Sequence, residues 1–470
     1  MLILGICCLS LLIVGMDVTI VNVALASITA DFHSSVTDLQ WTVDAYSVVL
    51  ASLLMLAGST ADRLGRRRVF QLGLILFTAG SLLCSLAPSL GWLIAFRALQ
   101  AVGGSMLNPV AMSIITNVFP EPRERARAIG VWGGVVGLSL GVGPVLGGAL
   151  IDGIGWRAIF WINVPIGLVA LVLTALFVPE SRAERARRPD PGGQALVMVL
   201  LGGLTFGIIE APRSGWGSAE TVTALVLAVA ALAGLLLYEP RRPEPLLDLR
   251  FFRSVPFSGA TLIAICAFGG FAGFLFLTSL YLQDVRGLSP LLAGCCLLPL
   301  AVMTLVCAPL SGRIVGARGP RLPLVVAGTL LTAGSLLLVD LSADESYVLI
   351  LSAFVLYAAG FGFVNAPITN TAVSGMPRAQ AGVAAAVAST SRQVGATLGV
   401  AVVGSVVSSG VAGSLSRGFV RASHPAWWVI VADNVLVLVL GLLTTSKRAR
   451  ATARRNAELI RDEPPVAVPV

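Results

Sequence analysis

The chain has 470 residues, of which 56% are hydrophobic and 12% charged, and its mean hydropathy is +0.90. A soluble globular domain carries roughly 25% charged residues. At half that charge, so long a chain cannot cover itself with polar surface, which excludes a soluble enzyme, a disordered chain and a nucleic-acid-binding protein.

In chain order, fourteen apolar runs read as membrane-crossing segments: 3–28, 41–60, 69–87, 92–118, 127–151, 158–178, 194–211, 220–238, 257–281, 290–312, 322–340, 347–373, 380–410 and 426–445. Lipid offers no partner to an unpaired backbone group, so each is expected to be a helix. The first run has no basic lead and is too long for a signal-peptide core, so it reads as an uncleaved span. The tail from Lys447 is basic and then proline-rich (Pro464, Pro465), which predicts a solvated, mobile segment. The expected fold class is an all-α polytopic membrane protein. Its expected parts are a six-helix bundle over 1–178, a linker with two inserted helices over 179–253, a second six-helix bundle over 254–445, and a basic cytoplasmic tail over 446–470.

The net charge of +8 is explained by topology. With the N-terminus placed in the cytoplasm, 25 of the 32 Lys and Arg fall in cytoplasmic loops and the tail, and five fall outside. The inner set includes Arg63, Arg66, Arg67 and Arg68, then Arg185, Arg187 and Arg188, and Arg378. Such a bias predicts both ends cytoplasmic, in a cell inner membrane. Two arginines, Arg97 and Arg392, remain inside apolar runs. The seven cysteines all lie in apolar runs without a CxxC pair, and His33 and His424 lie between runs. No metal or cofactor is expected.

A repeat links the halves. Gly58-Ser-Thr-Ala-Asp62-Arg63-Leu-Gly65-Arg66-Arg67 follows the second run, and Gly312-Arg313-Ile-Val-Gly316-Ala-Arg318-Gly319-Pro-Arg321 follows the tenth. Parallel repeated halves of this kind are a transporter architecture.

Here the chain resembles the major facilitator superfamily, in its fourteen-helix drug/proton antiporter branch. The first run carries Met16-Asp17-Val-Thr19-Ile-Val-Asn22-Val-Ala24-Leu, similar to the D-x-T-x-V-N-x-A-L signature. Trp41-Thr-Val-Asp44-Ala-Tyr46 opens the second run, and the Gly58 to Arg68 turn resembles the superfamily loop motif. Arg97-xx-Gln100 resembles R-x-x-Q-G, and Gly141-Val-Gly143-Pro144-Val-Leu-Gly147-Gly148 resembles the antiporter motif. Trp156 to Pro165, Tyr281-Leu-Gln283 and Ser391-Arg392-Gln393-Val-Gly395 fit the same branch. The chain departs from the pattern at Thr60, Ala101 and Gly316. The last removes the acidic residue of the second loop, whose expected role is then structural.

An ionised carboxylate at a helix centre costs roughly 2.5–3.5 kcal/mol, so intramembrane charges need a reason. Asp17 reads either as a proton carrier or as half of a structural ion pair. Asp44, near the outer end of its run, reads as an exposed carboxylate or, as the resemblance implies, as a handler of protons or substrate. Arg97 is implied to tune the site of Asp17, against a purely structural pair. Arg392 lies in a glycine-rich run and could hold a carboxylate or an anionic substrate group. Asp433 falls midway along the last run and reads as a further proton-handling acid, or simply bonds to a neighbour. Asn22, Tyr46, Asn365, Asn370 and Arg392 are candidate cavity residues. Phe268, Phe271, Phe274 and Phe361 could line that cavity or simply pack. The Gly58, Asp62, Arg63, Gly65, Arg66 turn reads as a gate that latches the halves, or as a plain solvated turn. Gly143, Pro144, Gly147 and Gly148 read as a kink, which the resemblance ties to antiport.

The chain lacks a GxxxxGK[ST] phosphate loop, so an ion gradient rather than ATP must drive uphill export. Nor is there an HExxH or an intramembrane His or Cys cluster for a membrane enzyme, or a soluble output domain for a sensor. The expected function is proton-coupled efflux of amphipathic drugs or antibiotics by alternating access in a functional monomer. The alternative is a dedicated exporter of one endogenous metabolite or self-made antibiotic. The expected partners are that small molecule, protons and the lipid bilayer.

Overall fold

The computed structural model describes residues 1–183, 190–242, 244–374, 376, 381–411 and 415–462. Arg185, Arg187, Arg188, Arg378 and the prolines 464 and 465 lie outside the described residues. Seventeen α-helices follow one another, with no strand among the described residues. They are α1 (Leu2–Phe32), α2 (Val36–Leu64), α3 (Arg66–Ser85), α4 (Leu90–Val118), α5 (Pro122–Gly153), α6 (Ala158–Trp161), α7 (Asn163–Phe177), α8 (Pro191–Ser214) and α9 (Ala219–Tyr238). After a linker come α10 (Val255–Leu280), α11 (Pro290–Cys296), α12 (Leu298–Arg318), α13 (Arg321–Leu336), α14 (Tyr347–Val373), α15 (Ala381–Gly410), α16 (Leu415–Thr444) and α17 (Lys447–Asp462).

Among the described residues, thirteen helical stretches are long and apolar enough to cross a membrane. The eleventh apolar run forms α13, a shorter apolar helix of 16 residues. Two runs are each split into a short and a long helix, α6 with α7 and α11 with α12. Polar caps set the ends. Ser35 and Asp38 form a reciprocal capping box before α2, and Ser218, Ser289 and Ser346 cap α9, α11 and α14. Gly65 ends α2 at φ 115°, a conformation a side chain would strain.

Burial separates the centre from the rim. The apolar window of the α10 span is 78% buried, against 22% for α9, whose Val226, Val229 and Leu237 face outward. The inserted pair α8 and α9 pack on each other, and α8 also touches α2 and α15. Within the first helices, α1 packs on α5, and α4 on α2 and α3. Among the later ones, α10 packs on α15 and α16, and α14 on α12 and α13. The two sets meet where α2 crosses α15, where α5 crosses α11 and α12, and where α1 approaches α10.

Small residues permit those crossings. A side chain on Gly399 would run into the Gly269 carbonyl oxygen, and one on Gly395 into that of Ile265, so α10 and α15 touch backbone to backbone. Gly399→Val is therefore expected to force them apart, costing about 1–3 kcal/mol or more. Gly312→Ala, which meets open space, is the control. Thermal stability of the detergent-purified variants by size-exclusion fluorescence checks this; equal melting temperatures would refute it.

The basic tail is ordered further than its composition predicts. Ala449, Ala453 and Asn456 form a buried face of α17 at helical spacing. Asn456 Nδ2 donates to the Arg250 carbonyl, and Thr452 Oγ1 accepts from the Val255 amide, docking α17 on the start of α10.

Candidate functional site

Asp17 sits at the middle of α1 and is fully buried. Arg97 of α4, 1% exposed, donates from Nη1 to Asp17 Oδ2, closing a buried ion pair. Gln100, three residues on and so on the same helix face, completes a ring. Its Nε2 donates to Asp17 Oδ1 at 2.8 Å, and its Oε1 accepts from Arg97 Nη1 at 2.8 Å. Asn163, which opens α7, donates to Ser81 Oγ at 3.1 Å and reaches Asp17 Oδ1 at 3.5 Å. Arg97 Nε donates to the Thr42 carbonyl at 3.3 Å, and its guanidinium lies 4.2 Å from the centre of the Tyr46 ring. Four spans, α1, α2, α4 and the α6–α7 unit, thus converge on one ion pair.

Close backbone approach makes this convergence possible. A side chain at Gly80 would meet the Gln100 backbone at 2.7 Å, and one at Gly104 would meet the Tyr46 hydroxyl at 2.8 Å. Gly143 lets α5 pass against Thr19, two residues from Asp17, and Gly147 accommodates Ile20. On the other side of α5, Gly148 faces the Pro290 carbonyl, while the Pro144 carbonyl fills the space over Gly294. The glycine–proline segment therefore joins the Asp17 helix directly to α11.

Asp44 is fully buried in α2, although its sequence position near a helix end suggested an exposed carboxylate. Neither of its carboxylate oxygens has a hydrogen-bond partner among the described residues. One turn earlier, Gln40 donates to the Ala401 carbonyl of α15 at 2.9 Å. Asp44 is thus beside the α2–α15 crossing.

The remaining sequence candidates scatter. Asn22 is buried, but its Nδ2 is used locally on the Val18 carbonyl. Asn365 is half-buried and Asn370 exposed, both on α14. Asp433 of α16 is half-buried near Gly269, and its neighbour Asn434 donates to Ser335 Oγ at 3.2 Å. Arg392 of α15 donates to Thr369 Oγ1 and lies 5.8 Å from the Phe268 ring centre. Among the aromatics, Phe274 stacks on Tyr357 at 4.3 Å and Phe271 on Phe361 at 3.9 Å, so these pack the core.

The Gly58–Arg66 segment is the end of α2, Gly65 and the start of α3 rather than a long turn, and it bonds to the segment leaving α7. Asp62 accepts from Arg66 at 2.9 Å, and its carbonyl takes the Ala183 amide. The Arg66 amide donates to the Ser181 carbonyl, and Glu180 packs over Gly65. Gly58 lies 3.9 Å, from a notional Cβ, from Pro109, and Arg63 is exposed.

Some contacts carry no signal in a one-dimensional reading. Gln100 and Asn163 stand inside recognisable motifs, and the three-residue spacing from Arg97 could have flagged Gln100. The reach of Gln283 Nε2 to the Val23 carbonyl at 2.9 Å, and the Trp41–Glu210 bond at 2.8 Å, could not have been found.

Thirteen apolar spans among the described residues, with a dry carboxylate–guanidinium pair sealed between them, describe a polytopic membrane protein. The chain belongs to the Major Facilitator Superfamily, whose family model matches residues 7–400. It is 37% identical over 414 residues to the Multidrug resistance protein Stp of Mycobacterium tuberculosis, covering 88% of this chain and 77% of that protein. It is 40% identical over 416 residues to the Tetracenomycin C resistance and export protein of Streptomyces glaucescens, with the same coverages. In fold it matches a bacterial homolog of the human lysosomal transporter Spinster in an inward-facing, unoccupied conformation, with a TM-score of 0.65 at 18% identity, covering 98% of each chain. This membership makes the protein a transporter and not an enzyme.

Proposed function

We propose that the protein exports amphipathic drugs or antibiotics across the bacterial cytoplasmic membrane in exchange for protons. The observation that carries this reading is the Asp17–Arg97–Gln100 assembly, a carboxylate sealed from water in the middle of a span. Such a group can take a proton only when its guanidinium partner lets go, which links protonation to helix movement. The names of its relatives, a multidrug resistance protein and an antibiotic export protein, support the cargo.

In this reading residues 1–178 and 254–445 rock as two bodies, with both termini cytoplasmic and the chain working as a monomer. Among the described residues, hydrogen bonds join the bodies at four places: Gln283 to Val23, Gln40 to Val400 and Ala401, Thr37 to Ser408, and the Leu291 amide to Asp152. All four lie toward the end bearing Asp31, opposite the arginine-rich turns. This supports a cavity that opens at the arginine-rich, cytoplasmic end. The Gly58–Arg66 segment, bonded to the exit of α7, braces that end, and the Gly143–Pro144 segment couples Asp17's helix to the second body.

The test is drug-panel susceptibility in a host lacking its own pumps, comparing the wild-type chain with Asp17→Asn at matched expression. Resistance from the wild type and sensitivity from Asp17→Asn are expected. Equal resistance from both would remove Asp17 from the mechanism. Protection against several unrelated compounds distinguishes a multidrug exporter from one dedicated to a single antibiotic.

A further inference from the structure

The two intramembrane arginines are built differently. Arg97 is sealed, 1% exposed, and its donors meet a carboxylate, an amide oxygen and a carbonyl under the Tyr46 ring. Arg392 is only partly buried, and no carboxylate lies within salt-bridge distance among the described residues. Its described side-chain hydrogen bond goes to the Thr369 hydroxyl, and its Nε is buried without a partner. A guanidinium offers five donors in a planar fork matched to a carboxylate. Burying its Nε without a partner is unfavourable, unless a ligand completes that side of the fork.

The surroundings have the shape of a subsite. Gly395, one turn along α15 from Arg392, brings the α10 backbone against it. Phe268 of α10 therefore stands beside the guanidinium at 5.8 Å. Phe268 is half-buried and meets Phe361 edge-on at 5.1 Å; Phe361 in turn is stacked on Phe271 at 3.9 Å, a rigid aromatic wall. On the facing helix, Asn365 is half-buried, one turn from Thr369. Charge, hydrogen-bond donors and a half-buried ring thus meet in one place.

We propose that Arg392 receives a negatively charged group, a carboxylate or sulfonate, carried by an aromatic substrate whose rings lie against Phe268. This rests on the export reading above and adds the charge and shape of one class of cargo.

The test uses the full-length protein in nanodiscs of zwitterionic lipid, with empty discs subtracted. The probes are 1-pyrenebutyrate and 1-pyrenemethylammonium, which share a ring system and differ in charge. Arg392→Gln is expected to weaken pyrenebutyrate binding at least about tenfold and to leave the cationic probe within about twofold. Arg392→Lys, a point charge without the fork, is expected to fall between. Parallel weakening of both probes, or unchanged pyrenebutyrate binding in Arg392→Gln, overturns the proposal. So does a wild-type protein that does not bind pyrenebutyrate; drug resistance in cells would then still uphold the export reading. If Arg392→Gln does not fold, Arg392→Lys carries the same comparison.

Discussion

Replacing Arg97 with alanine is expected to destabilise the fold by about 3–5 kcal/mol, and adding Asp17→Asn to that chain to restore most of the loss. Removing one partner of a buried pair strands the other's charge in a low-dielectric interior, which is the expensive outcome. Asp17 would then keep Gln100 and the long contact from Asn163, two neutral donors for a sealed carboxylate. Asparagine at 17 removes the charge and still accepts from Gln100. Unfolding of the two single variants and the double variant in matched lipid discs measures the coupling, expected to be at least about 2 kcal/mol in magnitude and opposite in sign to the sum of the single losses. Transport should be absent in all three, since the double variant regains the fold and not the titrating group. Additive stabilities would mean that Asp17 and Arg97 do not act as a pair. Recovered transport in the double variant would mean that the pair is only a structural brace.

Much of the fold was legible because the bilayer leaves few choices. An apolar run near 20 residues must be a helix, and the spans fall where the runs do. The edges were less legible. The last apolar run begins at residue 426, after Pro425, yet α16 starts at Leu415 and carries the proline inside it. Neighbouring helices tolerate a proline that would end a helix in water. The charge of the tail predicts a solvated segment, whereas the alanines spaced four apart that dock α17 carry little apolar signal beside the surrounding arginines.

The site divides along the same line. Asp17 and Arg97 stand out because a charge in an apolar run is costly, so their presence signals a constraint. Gln100 and Asn163 do not, because an uncharged amide is cheap enough to occur in many helices. Which charges pair is a tertiary fact. Nothing in their spacing distinguishes the saturated Arg97 from the unfilled Arg392, and an acid near a helix end gives no hint that it will be sealed without a partner, as Asp44 is.

That isolation makes Asp44→Asn the second large expected effect: loss of the membrane potential as a driving force for a cationic drug. Because Asp44 has no described hydrogen bond to lose, the amide should leave folding nearly unchanged. Exchange of one proton for one monovalent cation moves no net charge, so voltage cannot drive it. If Asp44 carries a second proton beside Asp17, each cycle moves one charge, and 100 mV acting on it supplies about 2.3 kcal/mol. That sustains a gradient of roughly 50-fold. In everted vesicles with a lumen-positive potential and no pH gradient, the wild-type protein should accumulate ethidium against its gradient, and Asp44→Asn should not. With a pH gradient and no potential, Asp44→Asn should still transport through Asp17. The location of Asp44 beside the α2–α15 crossing gives the physical reason, because that contact must loosen whenever the two bodies rock, and water then reaches the carboxylate. Voltage-driven ethidium uptake that survives Asp44→Asn would assign the second charge to another residue.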